Sequence, residues 1–401
     1  MRILTKTGVI FSIVFVDFLG LSFILPLYPE IASRFGLSAT LITLLSASYA
    51  LMQFIFSPIL GRLSDRVGRK PILVVTSLGT AASFLLFGWA NSVWLIFASR
   101  ILNGIFGSSV AVAQAYIADV TGKNERTEGM GTIGAALGLG LIFGPAMSGF
   151  LGHFGFGAPA YGAAVLTFLN SIFVIFFLKE SLAKNLRVKK KILNLEVHFK
   201  NLAEVLKHPL MGKIMLTYFL SMFALASVQN IATLFAEERF HLTIAEIGIV
   251  FALIGLVLLL VQGFLVGRMV KRIGESKIVT LGIFLAAIGY IMTPTIEYVW
   301  FVLVSAGFMA LGIGLIIPAL NSLISKNASR EEQGEIFGVA QSLIGLALIF
   351  APIFGGGLYD LFGSGSPFFA AGVITLVAFY FSLSVLNKLK RVEKRDFFKH
   401  N

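Results

Sequence analysis

A charge-rich hairpin, Gly61-Arg-Leu-Ser-Asp-Arg-Val-Gly-Arg-Lys-Pro71, lies between two long apolar runs, and a fainter copy, Gly267-Arg-Met-Val-Lys-Arg-Ile-Gly274, returns 206 residues later between two more. One hairpin repeated at half the length of a 401-residue chain implies an internal duplication. Flanking runs of about 20 apolar residues imply that each copy is set in a membrane. The repeat therefore supplies a symmetry, an orientation and a place to look for a moving part.

Composition agrees with this. Hydrophobic residues make up 57% of the chain and charged residues 13%, against about 25% charged in a soluble domain. The net charge of +12 does not point to nucleic acid, because the basic residues occupy alternate loops and form no stripe interleaved with aromatics. The chain has no cysteine, which excludes disulfides and thiolate metal sites, and no His or carboxylate cluster has metal spacing. Gly-x-Gly matches lie inside apolar runs with no strand before them. With no hydrolase triad, phosphate loop or redox motif, the expectation is a non-enzyme without cofactor or metal, not powered by ATP from this chain.

Apolar runs give twelve spans, 8–28, 41–60, 72–90, 93–117, 131–152 and 160–178, then 212–235, 245–266, 278–296, 299–324, 335–357 and 367–386. The first run is a full span, so no cleavable leader is expected. The longest polar stretch, 179–210, divides the two sets, and Leu195 to Leu206 within it has the apolar spacing of a helix lying on a membrane surface. With twelve spans the loops alternate sides. Of the 32 Lys and Arg, Arg34 and Arg239 alone fall in loops of one side and Arg100 alone lies deep within a span; the others, with Lys213 at the very start of the seventh span, share the side that holds both termini and the central segment. Positive charge marks the cytoplasmic face, so both termini are expected there. One missed span would scramble this asymmetry. The expected organisation is an N-terminal bundle (1–178), a cytoplasmic linker (179–210), a C-terminal bundle (211–387) and a basic cytoplasmic tail (388–401).

The duplication also shows in the fifth and eleventh spans. Gly131-x8-Gly140-x3-Gly144-Pro145-x2-Ser148-Gly149 is answered, 207 residues on, by Gly338-x8-Ala347-x3-Ala351-Pro352-x2-Gly355-Gly356. Small residues let helices touch and proline permits a bend. Gly131, Gly140, Gly144, Pro145, Gly149 and Pro352, with Pro26 in the first span, are therefore either packing or hinge positions.

These residues resemble the major facilitator superfamily and, within it, the twelve-helix drug:proton antiporters. Gly61, Asp65, Arg66, Gly68, Arg69 and Lys70 match its signature loop. Leu19-Gly20-x5-Pro26-Leu27-x-Pro29 is similar to the first-helix motif of the exporters, and the fifth span to the antiporter motif, with Ser148 where the pattern has Gly. Arg100-Ile-Leu-Asn-Gly104 stands where the family has Arg-x-x-Gln-Gly. Gly104-Ile-Phe-Gly107 and Ala115-Tyr-Ile-Ala-Asp119 look most like tetracycline-type efflux proteins. Those carriers hold an acidic residue inside the ninth helix; here Lys277 to Glu297 has none before its end, which weighs against tetracycline itself. The resemblance implies an all-α polytopic membrane protein with the major facilitator fold, 12 transmembrane helices in two pseudo-symmetric six-helix bundles. It also implies that spans 1 and 4 are adjacent and line a cavity.

Charges inside a membrane are costly and need a reason. Asp17 lies roughly 13 Å from one face and Arg100 roughly 10 Å from the other, close enough to meet across a core about 30 Å thick. Burial disfavours a charged carboxylate and a nearby guanidinium favours it. Parting the two, or admitting water, would then move a proton. The competing readings are a static pair that locks the two helices and substrate binding without proton transfer. Asp65, just past the second span, is expected to accept hydrogen bonds from the N-terminus of the eleventh, near Glu335, with Arg69 pairing to Asp119 or Glu125. Together these would latch the cytoplasmic side. Lys271 replaces Asp65 in the second copy, so the latch would be one-sided. Gln53, Gln114, Asn230, Asn321 and Gln341, with Tyr49 and Tyr116, are candidate substrate contacts; each also fits ordinary helix packing.

The leading expectation is a monomeric, multi-pass carrier of the plasma (inner) membrane that exports small amphipathic compounds in exchange for protons by alternating access. Its partners would be a small-molecule substrate, protons and the lipid bilayer. The alternatives are a metabolite importer or uniporter of the same fold, disfavoured by the first- and fifth-helix motifs, and a non-transporting receptor or scaffold, for which a longer added domain is expected.

Overall fold

The computed structural model describes residues 2–121, 126–182, 203–328 and 332–400, and every regular element among them is helical. Among these residues, twelve helices are long and apolar enough to cross a membrane. The first six are Gly8–Phe35, Ala39–Val67, Arg69–Gly88, Val93–Val120, Thr132–Gly152 and Ala158–Phe177. The second six are Met211–Gln229, Ile244–Ile273, Glu275–Thr295, Val299–Asn327, Glu335–Phe362 and Ser366–Leu389. Lipid offers the backbone no hydrogen-bond partner, so apolar runs of this length must satisfy their own N–H and C=O groups as helices.

Several spans outrun the apolar stretches that announce them. The first passes Pro26 through a 3₁₀ turn, Leu25–Leu27, and resumes as Tyr28–Phe35. Proline lacks the N–H for the regular ladder but starts a new turn readily. The expected separate tail at 388–401 is instead, up to His400, the end of one helix, Ser366–His400; residues 388–400 include neither Gly nor Pro and are rich in good helix formers. The fourth span is interrupted. Val93–Phe106 and Ser109–Val120 are separate helices, with Gly107 and Ser108 between them. In the eighth span Val261–Leu265 forms a wide π turn. Residues 195–202 of the expected surface helix, Leu195 to Leu206, and Glu125 lie outside the described residues.

The charged hairpin is not a loop. Helix continues to Val67, Gly68 alone makes the corner, and Arg69 begins the third span. Gly68 has φ 121°, and Gly274, the corner of the second copy, has φ 81°. Both values strain a side chain, so the glycine belongs to the repeat for a backbone reason. Asp65 consequently sits in the last turn of the second span rather than beyond it.

The chain divides into two compact units, one of Met1–Lys191 and Ala236–Gly255, the other of Ile192–Phe235 and Leu256–Asn401. The core of the first gathers Ile10 and Ile13 of the first span, Leu73 of the third, Val112 and Tyr116 of the fourth, Ala136 of the fifth and Val174 of the sixth. The eighth span begins in this unit because Gly248 and Ala245 seat against Pro145 and Gly149 of the fifth. In the second unit Gly282 and Gly312 bring the ninth and tenth spans into backbone contact.

Candidate transport site and charge clusters

Asp17 is half-buried in the first span, and its Oδ2 accepts a hydrogen bond from Ser109 Oγ. Ser109 opens the second half of the fourth span, so the carboxylate faces the place where that helix is interrupted. The second span fills the gap. Gln53 Nε2 donates to the Gly107 carbonyl (3.3 Å) and to Tyr49 Oη (2.9 Å). Ser108 Oγ bonds the Gly104 carbonyl (3.0 Å) and the Gln53 carbonyl (3.4 Å). Gly104 is needed here, because a Cβ would lie 2.7 Å from that of Met52. Gln53, held by the Tyr49 hydroxyl, thus satisfies a carbonyl at the backbone break beside Asp17.

Arg100 does not pair with Asp17. Its guanidinium lies over the Phe87 ring, 5.2 Å from the centroid, within electrostatic range of the Tyr28 and Tyr49 hydroxyls. The residue is 1% exposed, and its Nε and Nη2 have no hydrogen-bond partner. The expectation fails on depth. Asp17 is level with Ser109, nine residues from Arg100, or about 13 Å of helix rise. Tyr49 lies within electrostatic range of both charges.

Around Arg69 a denser cluster forms. Its Nη2 lies 2.6 Å from Asp65 Oδ1, and its Nε 3.1 Å from Asp119 Oδ2, one of the two partners expected for it. Nη1 donates to Ser64 Oγ (2.5 Å) and to the Gly61 carbonyl (3.4 Å). Ser181 Oγ donates to Asp119 at 3.0 Å. The backbone N–H groups of Arg69 and Lys70 donate to the Glu180 carboxylate (2.9 and 3.3 Å), which caps the positive end of the third span. Lys70 Nζ reaches the Ile175 carbonyl at 2.6 Å. Arg66 stands on the last turn of the second span.

The second copy holds a counterpart of opposite polarity. Glu275, 206 residues after Arg69, pairs with Lys326, 207 residues after Asp119. Ser322 Oγ also donates to Glu275, at 3.1 Å.

The remaining candidates scatter. Tyr116 is fully buried in the core of the first unit with its hydroxyl on the Lys179 carbonyl (2.8 Å). It is therefore a packing residue and not a cavity wall. Gln114 and Gln341 are exposed. Asn230 is buried at the junction of Met211–Gln229 and Ile231–Phe240, and Asn321 Oδ1 accepts from Tyr218 Oη at 3.3 Å. A Cβ on Gly140 would stand 2.7 Å from Phe18 Cβ and one on Gly144 2.5 Å from the Leu19 carbonyl, so both seat the fifth span on the first. Pro145 and Pro352 lie inside helices, and Gly131 within Arg126–Gly152.

The sequence model of the Major Facilitator Superfamily matches residues 10–265 and 214–399. The chain is 33% identical over 353 residues to the class E tetracycline resistance protein of Escherichia coli, covering 87% of this chain and 86% of that one. It is 31% identical over 371 residues to multidrug resistance protein 2 of Bacillus subtilis (strain 168), covering 92% of each. The chain belongs to the Major Facilitator Superfamily. Among solved structures, the human organic anion transporter MFSD10 (TETRAN) superimposes with a TM-score of 0.73 at 21% identity, over 94% of this chain and 99% of that one. A bacterial homolog of the human lysosomal transporter Spinster gives 0.78 at 15% identity, over 96% of each. Like these, the superfamily member described here has the all-α, twelve-span fold. It is a multi-pass membrane transporter of small molecules and not an enzyme.

Sequence reasoning missed three residues of this transporter. Ser109 had one signal, the Gly107-Ser-Ser run that interrupts a helix. Lys326 was available from the repeat offset alone, by adding 207 to Asp119. Glu180 carried none, because its target is backbone.

Proposed function

We propose that this transporter exports small amphipathic compounds in exchange for protons, by alternating access between an N-terminal bundle (1–178) and a C-terminal bundle (211–387) tethered by 179–210. The observation that carries the reading is Asp17. Among the described residues, every other Asp and Glu of a span lies near an end of it. Asp17 alone is deep, and it rests on a neutral hydroxyl instead of a fixed cation. A carboxyl group so placed can gain and lose a proton without breaking an ion pair. Export is supported by relatives named for tetracycline and multidrug resistance, and the basic loops favour cytoplasmic termini. The Asp65–Arg69–Asp119 cluster would act as the cytoplasmic latch, and Asn230, Asn321, Gln114 and Gln341 remain candidate substrate contacts.

The test uses purified protein in liposomes with an imposed pH gradient, tetracycline and ethidium serving as probes. Wild type is expected to move a probe uphill when the gradient is present. Asp17→Asn is expected to lose uphill movement and to keep downhill exchange. Uphill transport by Asp17→Asn equal to wild type sinks the assignment of Asp17, and wild-type transport indifferent to the gradient sinks proton coupling in favour of uniport.

A further inference from the structure

We propose that Ser109 is the positioning residue for proton exchange at Asp17, its hydroxyl partnering the carboxyl group in both protonation states. The inference rests on the reading of Asp17 as the proton site. A hydroxyl both donates and accepts. Ser109 Oγ donates to the carboxylate, as seen here, and by rotating it can accept the proton of the neutral acid. A guanidinium only donates, so Arg100 could not accept the O–H of the neutral form even if it reached. A buried polar group that loses its partner is destabilised more than the bond itself stabilises. A partner that serves both states therefore keeps either one from being trapped.

The fold presents this hydroxyl deliberately. Ser109 is buried, and it begins a helix because Gly107 and Ser108 interrupt the fourth span. That interruption is held by bonds from Gln53 and Ser108 to the Gly107 and Gly104 carbonyls, so the position of Ser109 does not depend on Asp17. Other titratable groups on the surrounding elements leave it the direct partner. Tyr49 of the second span is in electrostatic range of Asp17, but its hydroxyl accepts from Gln53. Arg100 lies over the Phe87 ring, nine residues before Ser109 on the fourth span. Tyr116 and Asp119 lie toward the far end of the half-helix that Ser109 opens, Arg69 and Lys70 at the start of the third span, and Tyr161 near the start of the sixth. The fifth span, over Thr132–Gly152, carries no titratable side chain.

The experiment needs no substrate. The carboxyl C=O stretch of Asp17 is followed across pH by infrared difference spectroscopy on the purified full-length protein, and is identified by its loss in Asp17→Asn. Ser109→Ala is expected to move the midpoint of that band about one pH unit toward alkaline, because the charge-assisted bond lost by the carboxylate is stronger than the neutral one lost by the acid, and to raise its frequency as the acid loses an acceptor. Ser109→Thr, which keeps the hydroxyl, should restore both. If Ser109→Ala does not fold, Ser109→Cys, a weak donor of similar size, should give a smaller shift of the same sign. A midpoint and frequency unchanged in the Ala or Cys variant overturns the role of Ser109 and leaves Asp17 intact. A spectrum in which no titrating band depends on Asp17 overturns both.

Discussion

The two ion pairs related by the repeat, Arg69–Asp119 and Glu275–Lys326, should differ sharply in strength, and a pair of double-mutant cycles measures the difference. The side chains of Arg69 and Asp119 are 8% and 24% exposed, so water competes poorly for either. Lys326 is 63% exposed beside a Glu275 at 11%, and most of its charge is solvated in any case. Coupling between contacting, partly buried partners runs to about 1–3 kcal/mol, whereas exposed pairs give about 0–1 kcal/mol. The single mutants should be asymmetric too. After Asp119→Ala, Arg69 keeps Asp65 and Ser64. After Arg69→Ala, Asp119 keeps only the Ser181 hydroxyl among these partners, and Asp65 loses its cation. Arg69→Ala is therefore expected to cost more than Asp119→Ala by about 1 kcal/mol. Unfolding of the purified protein in mixed micelles, for each single and double alanine variant, supplies the two coupling energies. A Glu275–Lys326 coupling equal to or larger than that of Arg69–Asp119 would refute the argument from burial.

Further outcomes follow from the same geometry. Asp65→Asn should slow liposome transport severalfold while lowering unfolding stability by no more than about 1 kcal/mol, since its pair with Arg69 is half in solvent. Gly140→Leu should destabilise the protein by about 1–3 kcal/mol or more in a micelle unfolding titration, because the new side chain meets Leu19 N and the Phe15 carbonyl, both 2.8 Å from its Cβ, and backbone cannot step aside. Tyr116→Phe should cost about 1 kcal/mol by loss of one buried hydrogen bond and leave the transport KM unchanged; a raised KM would return Tyr116 to the substrate cavity.

Much of this molecule is written in its period and charge. Apolar length marks all twelve spans, because in lipid nothing but a helix satisfies the backbone. The partner of Arg69 was narrowed to two, Asp119 and Glu125, since both lie on the side where the hairpin lies; the structure shows the pair with Asp119. What failed to show in sequence has one physical cause. Counting residues at 1.5 Å each treats every span as a rod that begins and ends with its apolar run. The first span runs on past Pro26 and the fourth breaks at Gly107, so Asp17 meets Ser109 and misses Arg100. Tyr116 misled for a related reason: a ring on a cavity-lining span faces the cavity only if its own side of the helix does, and this ring belongs to the buried core of the first unit.

The inverted pair says what the duplication has held on to. Gly68 and Gly274 both make a one-residue corner at positive φ. The residue after each corner, Arg69 or Glu275, opens a helix, and the residue it meets, Asp119 or Lys326, ends or nearly ends another. The backbone therefore fixes two facing positions in each half without fixing a sign. In the first half sign is then set by the neighbours. Asp65 lies one turn before the corner, and Glu180 accepts from its amides; two carboxylates beside position 69 require a cation there, and Asp119 completes it. In the second half Lys271 stands where Asp65 does, and a cation one turn before the corner favours an anion at 275. In each half the residue after the corner is thus opposite in sign to the charge one turn upstream, Asp65 or Lys271. Glu there favours Arg or Lys after the corner as Asp does, whereas exchanging Arg69 and Asp119 with each other sets Asp65 and Glu180 against the new carboxylate.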